Sequence, residues 1–445
     1  MTQDTLTLID LVRQRDLDGI DAWLDEHGAL DVAEELARLE PADRAVVFRL
    51  LGKDRALAVF EALDPVHQQQ LLEALADQAV NELFLGLDEH DRARLLDEVP
   101  AKVARRLLAT LPVDARSSTN VLLGYPEESA GRVMSPRYVS LRASMTAADA
   151  LSKVRRAGLR PREVLVLPVT DDQRRLVGAV DLPDVVTAAP GTRIADLLRQ
   201  ETFSARVDDD QEAAARLMQA ADLVALPVVD TEGRLVGVVT VDDAMEIIEA
   251  EETEDIARAG GSEPLDVPYL DAGVFHLARK RAVWLLILIA AAVLTVNVLQ
   301  VFEDTLEAVV TLALFIPLLI DTGGNSGSQA ATVVIRAMAV GEVRFADLPR
   351  ILRRELVVGA LLGVMLGLVS LPLVTIFFGW QLALVIGSTL LTICTWASFS
   401  GGLLPLLAKR IGIDPAVVSA PLITTLVDAT GLVIYFLIAR AVLGL

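Results

Sequence analysis

Apolar residues follow two different patterns along this chain. Up to about residue 281 they recur at helical or strand spacing among many charged residues, whereas beyond Arg281 they form long runs. Val283–Phe302 holds 20 residues without a charge, and Leu356–Ala408 holds 53. A helix needs roughly 20 apolar residues to cross a bilayer, so the second run fits two crossings with a turn at Phe378–Trp380. The pattern predicts an integral membrane protein.

A repeat of 24 residues fills the first part of the chain, with copies that begin at Leu39, Leu63, Leu87 and Leu111. Each copy opens with an acidic or proline-bearing cap and continues with apolar residues at helical spacing. Such a unit buries its apolar face on its neighbours. We predict an α-helical superhelical repeat domain over residues 1–124, of the kind that serves as an adaptor and not as a catalyst.

A second repeat follows at an offset of 59 residues. VLPVTDDQRRLVGAVDLPDVV (166–186) matches ALPVVDTEGRLVGVVTVDDAM (225–245), and each copy predicts a strand, a hairpin turn, a strand and a helix opened by an aspartate. The copies resemble a tandem pair of CBS domains, which are α/β modules, and we place the pair at residues 125–241. CBS pairs commonly dimerise, and some bind adenine nucleotides, so ATP is a candidate ligand here. A pair that binds no ligand and serves only in dimerisation and relay is equally compatible with the sequence.

An acidic segment, DDAMEIIEAEETED (242–255), connects this pair to the membrane region. Eight of its 14 residues are acidic and none is basic. We predict a connecting helix over residues 242–270. A solvated charged face is the ordinary interpretation of such a segment. Like charges three and four positions apart destabilise an isolated helix, however, so we expect cations to offset the repulsion.

Basic residues predict the orientation in the membrane. They precede the first predicted span, crowd the segment after the second and follow the fourth, at Arg279–Arg281, 336–354 and Lys409–Arg410. The positive-inside rule then gives a transmembrane domain of five helices over residues 271–445, in the inner or plasma membrane, with the N-terminal domains in the cytoplasm and the C-terminus outside. Arg440 at the outer end can snorkel to the interface. The first residues lack the basic and apolar regions of a signal peptide, so we expect none to be cleaved. The predicted fold is multidomain, α plus α/β.

The second predicted span, within 315–343, contains Asp321, Asn325 and several glycines. Polar groups at membrane depth persist where they are buried in protein or line a water-filled cavity. Close packing of two helices would explain the glycines but not the aspartate and the asparagine. We therefore favour the wall of a cavity or pore.

Asp428 is the only charged residue of the fifth predicted span, Ala416–Ala439. Ionisable residues inside spans usually mark an ion or substrate path. We favour an ionised carboxylate that faces water and a cation over a protonated one bonded through Thr424 or Thr425. A site of oxygen ligands suits Mg²⁺ or Ca²⁺, and Mg²⁺ keeps much of its water, so one or two carboxylates suffice. A two-fold axis of a homodimer along the pore would supply a second copy of Asp428.

The composition excludes several other classes. The net charge of −21 argues against binding to nucleic acid or docking on anionic lipid. A single cysteine, Cys394, excludes a disulfide framework, and the four histidines fit no zinc spacing. GGNSGS is not followed by the Lys-Ser/Thr of a phosphate-binding loop, and the sequence shows no catalytic constellation. We do not expect an enzyme.

The order of repeat domain, CBS pair, acidic helix and five spans resembles the MgtE-type magnesium channels along nearly the whole chain. The motifs YPEESAGRVM (125–134), PLLIDTGGNSGSQAATVVIRAMAVGEV (317–343) and DPAVVSAPLITTLVDATGLVIY (414–435) carry the resemblance. It implies a homodimer that takes up Mg²⁺ through a pore lined by spans two and five, with Asp428 as the main selectivity residue and the backbone around Thr424 assisting. The pore wall that it implies contains Asp321, Gly324, Asn325 and Gly327.

The resemblance also implies closure by cytosolic Mg²⁺. The sensing carboxylates carried over by position are Asp210, Glu212, Asp222, Asp243, Glu246, Glu251, Glu254, Asp255 and Asp414, faced by Asp88 or Asp91 of the repeat domain. Without Mg²⁺ these acidic faces would repel one another. Bridging ions would let them pack and draw the connecting helix against the pore mouth, and several weak sites would add their effects.

The chain departs from the family pattern at Ser328 and Ala420, where the family has or can have asparagine, and at Asp321, where it has a small residue. Selectivity among Mg²⁺, Mn²⁺ and Co²⁺ and the choice between channel and carrier therefore stay open. So do two further functions: a proton-coupled transporter of another solute, with Asp428 as the relay, and a nucleotide-sensing membrane scaffold that conducts nothing.

Overall fold

The computed structural model describes residues 7–445 except 76, 266, 271 and 419. Its residues form two compact units, one that ends at Ala250 and one that begins at Glu251.

The first part of the first unit is an array of short helices. Each 24-residue repeat supplies two of them, except that the last copy contributes one, so the predicted helical repeat domain is confirmed. The helices are α1 (Leu8–Gln14), α2 (Leu17–Glu26), α3 (Ala29–Ala37), α4 (Pro41–Phe48), α5 (Lys53–Glu61), α6 (Pro65–Ala74), α7 (Asp77–Gly86), α8 (Glu89–Glu98), α9 (Ala101–Thr110) and α10 (Val113–Leu123).

The first leucine of each repeat is part of the core. Leu39, Leu63, Leu87 and Leu111 are between 3% and 6% exposed. Each stands directly before the cap of a helix, a position from which an apolar side chain packs back onto the first turn. The leucine therefore fixes the angle at which each helix begins.

The fifth residue after each of these leucines closes the preceding helix. Arg44 donates to the carbonyls of Leu36 and Leu39, and Gln68 donates to those of Phe60 and Leu63. The corresponding residues Arg92 and Arg116 donate in the same way. The last carbonyls of a helix have no partner within it, so these side chains satisfy buried acceptors that would otherwise be costly.

The second part of the first unit is the pair of predicted CBS modules, and this prediction is also confirmed. In the first module β1 (Val166–Thr170) pairs antiparallel with β2 (Leu176–Asp181); in the second, β4 (Ala225–Val229) pairs with β5 (Leu235–Thr240) and with the short parallel strand β3 (Ala205–Arg206). The helices of this part are α11 (Ala130–Val133), α12 (Ala147–Ala157), α13 (Leu182–Thr187) and α14 (Gln211–Ala220).

The two hairpin turns use the same chemistry at the predicted offset. Asp171 Oδ1 accepts from the backbone N–H groups of Gln173 and Arg175, each at 2.8 Å. Asp230 Oδ1 accepts from Glu232 and Arg234 at 2.9 and 2.8 Å. An aspartate that bonds the backbone two residues on stabilises a tight turn, and this explains why it recurs in both copies.

The acidic connecting helix, α15 (Val241–Ala259), is shorter than the predicted segment 242–270. It stops at the pair Gly260–Gly261, where Gly261 has φ +70°. A left-handed glycine just beyond the last turn ends a helix because other residues are strained there. The boundary between the two units falls within α15, not at its start.

The second unit consists of long helices. They are α16 (Val274–Val301), α18 (Ile316–Ala339), α19 (Leu348–Phe378), α20 (Trp380–Arg410) and α21 (Ala420–Leu443), with a short α17 (Glu303–Ala308). The turn predicted at Phe378–Trp380 is confirmed, since only Gly379 separates α19 from α20. The fifth predicted span was placed from Ala416, but its helix begins at Ala420. Pro421 is tolerated only in the first turn, and a 3₁₀ turn at Pro415–Val417 precedes it.

Four helices among the described residues are long and apolar enough to cross a membrane: Val274–Val301, the helical stretch Phe345–Phe378, Trp380–Arg410 and Ala420–Leu443. The 24 residues of α18 suffice in length, but its polar side chains keep it outside this group. A fifth crossing by α18 therefore stays a prediction.

Glycines let the helices of this unit approach closely. A Cβ on Gly359 of α19 would lie 2.6 Å from the carbonyl oxygen of Cys394 in α20, and a Cβ on Gly401 would meet the carbonyl oxygen of Gly327 in α18. Backbones packed at this range gain dispersion contacts without needing a hydrophobic driving force in lipid. The glycines of α18 thus belong to a continuous helix and do not interrupt it.

Candidate functional site

Two helices of the second unit bring the predicted pore residues together. Gly324 of α18 lies against Thr424 of α21, since a Cβ on that glycine would be 2.6 Å from Thr424 Cγ2. Gly327, one turn further, lies against Ile423 in the same way at 2.9 Å. Both glycines are buried. They are contact residues between α18 and α21, and their place in a pore wall stays a prediction.

The two aspartates face this contact from either helix. Asp428 is half-buried, and its Oδ1 is buried without a hydrogen-bond partner among the described residues. Asp321 is exposed and near enough to Asp428 for the two charges to interact. Asn325, also exposed, lies one turn after Asp321 on α18. A buried carboxylate oxygen without a partner, close to a second carboxylate, is suited to a cation.

The hydroxyls of Thr424 and Thr425 are already engaged. They donate to the carbonyls of Ala420 and Pro421, one turn back in α21, at 2.9 Å each. In the described part of the chain neither threonine bonds to Asp428 Oδ1. The structure therefore shows no bond from these threonines to this oxygen, and the ionised state of Asp428 stays a prediction.

Two of the three departures from the family pattern, Ser328 and Ala420, meet each other. Ser328 Oγ lies 3.2 Å from Thr424 Oγ1 and 3.3 Å from the carbonyl oxygen of Ala420. The serine thus joins α18 to α21 at the level of Thr424, where an asparagine would instead present an amide. Sequence reasoning identified the position but could not show that its side chain is used between the helices.

In the first unit, Asp243 of α15 pairs with His90 of α8. The distance from Asp243 Oδ1 to His90 Nε2 is 3.1 Å, and Asp243 also accepts from the Thr240 backbone N–H. Burial alone would lower the pKa of His90, but the charge of Asp243, aided by Asp91, raises it to about 9. Burial favours a raised pKa for Asp243, but the His90 charge outweighs it and holds that pKa below its ordinary value.

The next acidic residue of the helix has a similar partner. Glu246 accepts from Arg94, which also pairs with Asp91 at 3.3 Å. A cavity of about 360 Å³ opens beside these pairs, lined by Asp243, Glu246 and, from α14, Gln211. Two of the predicted sensing carboxylates of α15, Asp243 and Glu246, thus lie against α8 and pair with its cations His90 and Arg94.

Asp88, predicted as an alternative to Asp91 to face the sensing residues, is surrounded by arginines. It is 3% exposed and pairs with Arg160 at 2.8 Å, Arg162 at 3.4 Å and Arg137 at 3.8 Å. Asp88, His90 and Asp91 also place ligand atoms within 4.8 Å of one another, a spacing that a metal ion could use. Through its arginine partners Asp88 joins the repeat domain to the CBS pair, and a sensing role for it stays a prediction.

The predicted sensing residues of the second CBS module do not form one cluster. Asp210 caps α14 by accepting from the N–H groups of Glu212 and Ala213, and Glu212 pairs with Arg216. Asp222 is exposed, with φ +51°, at the end of α14. Only the N-terminal end of α14 reaches the cavity beside Asp243.

In the second unit, the last turns of α15 are attached to the membrane helices. Arg258 joins Glu254, one turn back, to Asp414, which precedes α21. Glu252 pairs with Arg336 near the end of α18 at 3.5 Å. Glu251 and Asp255 are placed on the same stretch of α15. Sequence reasoning found the carboxylates but not Arg258, the basic residue in the last turn of the helix.

Comparisons with known proteins agree with this arrangement. A family model described as "Divalent cation transporter" matches residues 316–438, one described as "MgtE intracellular N domain" matches 28–128, and the CBS domain model matches 130–191 and 194–250. The protein named Magnesium transporter MgtE of Thermus thermophilus is 39% identical over 98% of both chains. The chain belongs to the MgtE family.

Other MgtE proteins support the same assignment. The Bacillus subtilis protein named Magnesium transporter MgtE is 30% identical over 99% of this chain and 98% of its own length. A solved structure, the cytosolic domain of the Mg²⁺ channel MgtE in complex with ATP, matches 55% of this chain and 99% of its own, with a TM-score of 0.51 and 33% identity. The predicted family is confirmed, and it is a family of membrane transporters and not of enzymes.

Proposed function

We propose that this MgtE-family chain takes up Mg²⁺ through a path between α18 and α21. The buried, unpartnered Oδ1 of Asp428 carries this proposal. Asp321 adds a second carboxylate close by, and Asn325 adds an amide on the exposed side of α18. Mg²⁺ sheds its water reluctantly, so few protein oxygens are enough to hold the hydrated ion. The names of the relatives support Mg²⁺ as the cargo.

A homodimer would complete this site. One carboxylate offers one negative charge to a divalent ion, whereas an axis along the path would present two copies of Asp428 and two of Asp321. Conduction requires binding that is weak enough for release, and a hydrated ion held through its water meets this condition. The soluble domains would lie in the cytoplasm and the C-terminus outside, as the basic residues indicate.

We further propose that cytosolic Mg²⁺ closes the path through α15. The helix carries Asp243 and Glu246 at one end and Glu251, Glu254 and Asp255 at the other. Bridging Mg²⁺ would reduce repulsion among these groups and the acidic residues of α14 and so favour the compact form. Arg258 holds the end of the helix to Asp414 and thereby to the start of α21. ATP is a candidate ligand of the CBS pair, since a relative's cytosolic domain was solved with it.

The decisive test is Mg²⁺ uptake into proteoliposomes by the full chain and three variants. We expect Asp428→Asn to abolish selective uptake, because the amide keeps the shape but not the charge. Asp321→Asn should reduce uptake by a smaller factor. Glu307→Gln, which removes one exposed acidic charge from α17, is the matched control and should behave as the native chain. Millimolar Mg²⁺ on the cytoplasmic side should stop uptake.

Other outcomes would select other functions. Uptake by Asp428→Asn at the native rate would contradict the path. Flux that follows a proton gradient and is uncoupled in Asp428→Asn would favour a proton-coupled carrier. Equal uptake of Mn²⁺ or Co²⁺ would make the chain a general divalent transporter, and no flux of any ion would favour the nucleotide-sensing scaffold.

A further inference from the structure

A cavity of about 460 Å³ lies in the second unit, at the ends of two of its long helices. It is bounded by the end of α18, the segment between α18 and α19, and the end of α20. The basic residues around it are among those that the positive-inside rule assigns to the cytoplasmic surface of the membrane. This cavity is separate from Asp428 and from the acidic residues of α15.

The floor of the cavity is apolar. Met338 is 4% exposed and Leu406 is 1% exposed, and both belong to a small apolar cluster with Val334 and Ile351. Phe345 packs on the same cluster. A floor of this kind serves no purpose for a small inorganic ion, but it suits the glycerol and the first methylenes of a lipid.

The rim of the cavity is basic. Arg344, Lys409 and Arg410 line it, and none of the three side chains forms an ion pair with a described residue. The nearby Asp347 instead accepts from the backbone N–H of Arg344 at 3.1 Å. The Arg410 guanidinium stacks over the ring of Phe345 at 4.4 Å, which fixes one cation at the edge of the apolar floor.

The local charge differs in sign from that of the chain. Residues 336–354 together with 409–410 include seven basic and two acidic residues, although the whole chain has a net charge of −21. Charges are screened over about 8 Å at physiological ionic strength, so a phosphate in the cavity responds to the charges close to it and not to the net charge of the chain. The objection that net charge raises against anionic lipid therefore does not apply at this surface.

We propose that this cavity binds the head group of an anionic phospholipid. The phosphate would lie among Arg344, Lys409 and Arg410, and the glycerol would rest on Phe345 and Leu406. Basic pockets between transmembrane helices at the cytoplasmic side are suited to such head groups. The competing explanation is that the three cations only orient the spans and complement the C-terminal end of α20.

The test is native mass spectrometry of the full chain with dioleoylphosphatidylglycerol, with dioleoylphosphatidylcholine and with inorganic phosphate. The test variant is R344Q/K409Q/R410Q. The control R350Q/R353Q/R354Q removes the same charge from the same side of the membrane but leaves the cavity lining unchanged. We expect the native chain and the control to retain phosphatidylglycerol in preference to phosphatidylcholine. The test variant should bind it about 100-fold more weakly, at about 5-fold for each charge removed.

Three results would overturn the proposal: equal loss in both triple variants, equal retention of the two lipids by the native chain, or displacement of phosphatidylglycerol by equimolar inorganic phosphate. The last would assign the site to a soluble phosphate. The temperature at which a thiol dye labels the buried Cys394 reports whether each variant is folded. If the triple variant unfolds, Arg344→Gln alone should still weaken phosphatidylglycerol binding about 5-fold.

Discussion

Arg258 donates to Asp414, a residue 156 positions later in the chain, and at the same time pairs with Glu254 in its own helix. The guanidinium thus lies between two carboxylates that the family resemblance implies as ligands of regulatory Mg²⁺. Arg258 therefore already neutralises part of the negative charge that a bound Mg²⁺ would neutralise. The end of the connecting helix is consequently held to the start of α21 by an arginine.

Removal of this arginine should change the Mg²⁺ dependence of closure. We expect Arg258→Gln to require about 2- to 5-fold more cytoplasmic Mg²⁺ for half-maximal closure, because partly exposed ion pairs contribute about 0.5 to 1 kcal/mol each. The Mg²⁺ concentration for half-maximal closure is measured from uptake into proteoliposomes over a range of internal Mg²⁺ concentrations. Arg234→Gln, which removes an exposed pair with Glu232, is the control. An unchanged midpoint for Arg258→Gln would contradict the attachment.

The buried carboxylate of Asp88 should contribute strongly to stability. Asp88→Asn leaves three arginines facing one another without their anion, and we expect a loss of about 3 kcal/mol in the free energy of unfolding. Chemical denaturation of the full chain in detergent measures it. Asp25→Asn, whose carboxylate is 89% exposed beside Arg55, should cost less than about 0.5 kcal/mol. Similar losses in the two variants would refute a special role for Asp88.

The pair of His90 and Asp243 should make stability depend on pH. The pKa of His90 is about 9 in the fold, against an ordinary value of 6.5, so the pair's contribution is complete below pH 6.5 and is lost as the pH rises through 9. The pKa of Asp243 lies below its ordinary value of 3.8, so its effect on stability appears only in acid. Between pH 6 and pH 10 the Asp243 carboxylate therefore stays charged. Thermal unfolding of the native chain and of His90→Gln in buffer with EDTA should differ by on the order of 1 to 3 kcal/mol at pH 6.

The same difference should shrink towards zero by pH 10, because a neutral imidazole no longer attracts Asp243. A difference that stays constant from pH 6 to pH 10 would show that His90 acts through packing alone.

Gly359 should not accept a side chain. Its added Cβ would lie 2.6 Å from the Cys394 carbonyl oxygen and 2.8 Å from the Thr395 Cα, both backbone atoms that cannot give way. We expect Gly359→Ala to destabilise the second unit by about 1 to 3 kcal/mol, as overpacking does. Gly387→Ala, whose Cβ would be 3.6 Å from a leucine side chain, should be tolerated. The temperature at which a thiol dye labels Cys394 measures the stability of both variants. Equal labelling temperatures for Gly359→Ala and Gly387→Ala would contradict close packing of α19 on α20.

The sequence predicts the repeat helices and the CBS pair well because both depend on local periodicity and on turn chemistry that recurs at a fixed spacing. Asp171 and Asp230 are examples, each identifiable from its own neighbours. The glycines of α18 were harder to interpret, since the sequence could not show whether Gly324 faces water or Thr424.

The ion pairs of the acidic helix could not be predicted at all. Sequence reasoning required cations to offset its charge, but Arg94 and Glu246 are 152 positions apart, and only the folded chain brings them together. The same holds for Asp88 with Arg162, 74 positions away. Pairs of this kind carry no periodic signal, so a carboxylate that receives an arginine looks the same in sequence as one that receives Mg²⁺.

The single residue between α19 and α20 affects how the chain is made. The two 31-residue helices are joined by Gly379 alone and packed along their glycines, so they form a hairpin that can enter the bilayer as one body during synthesis. Within that hairpin the hydroxyls of Ser388, Thr392 and Thr395 already donate to carbonyls of their own helix. The more polar helix, α20, can therefore insert into the bilayer together with the apolar helix α19.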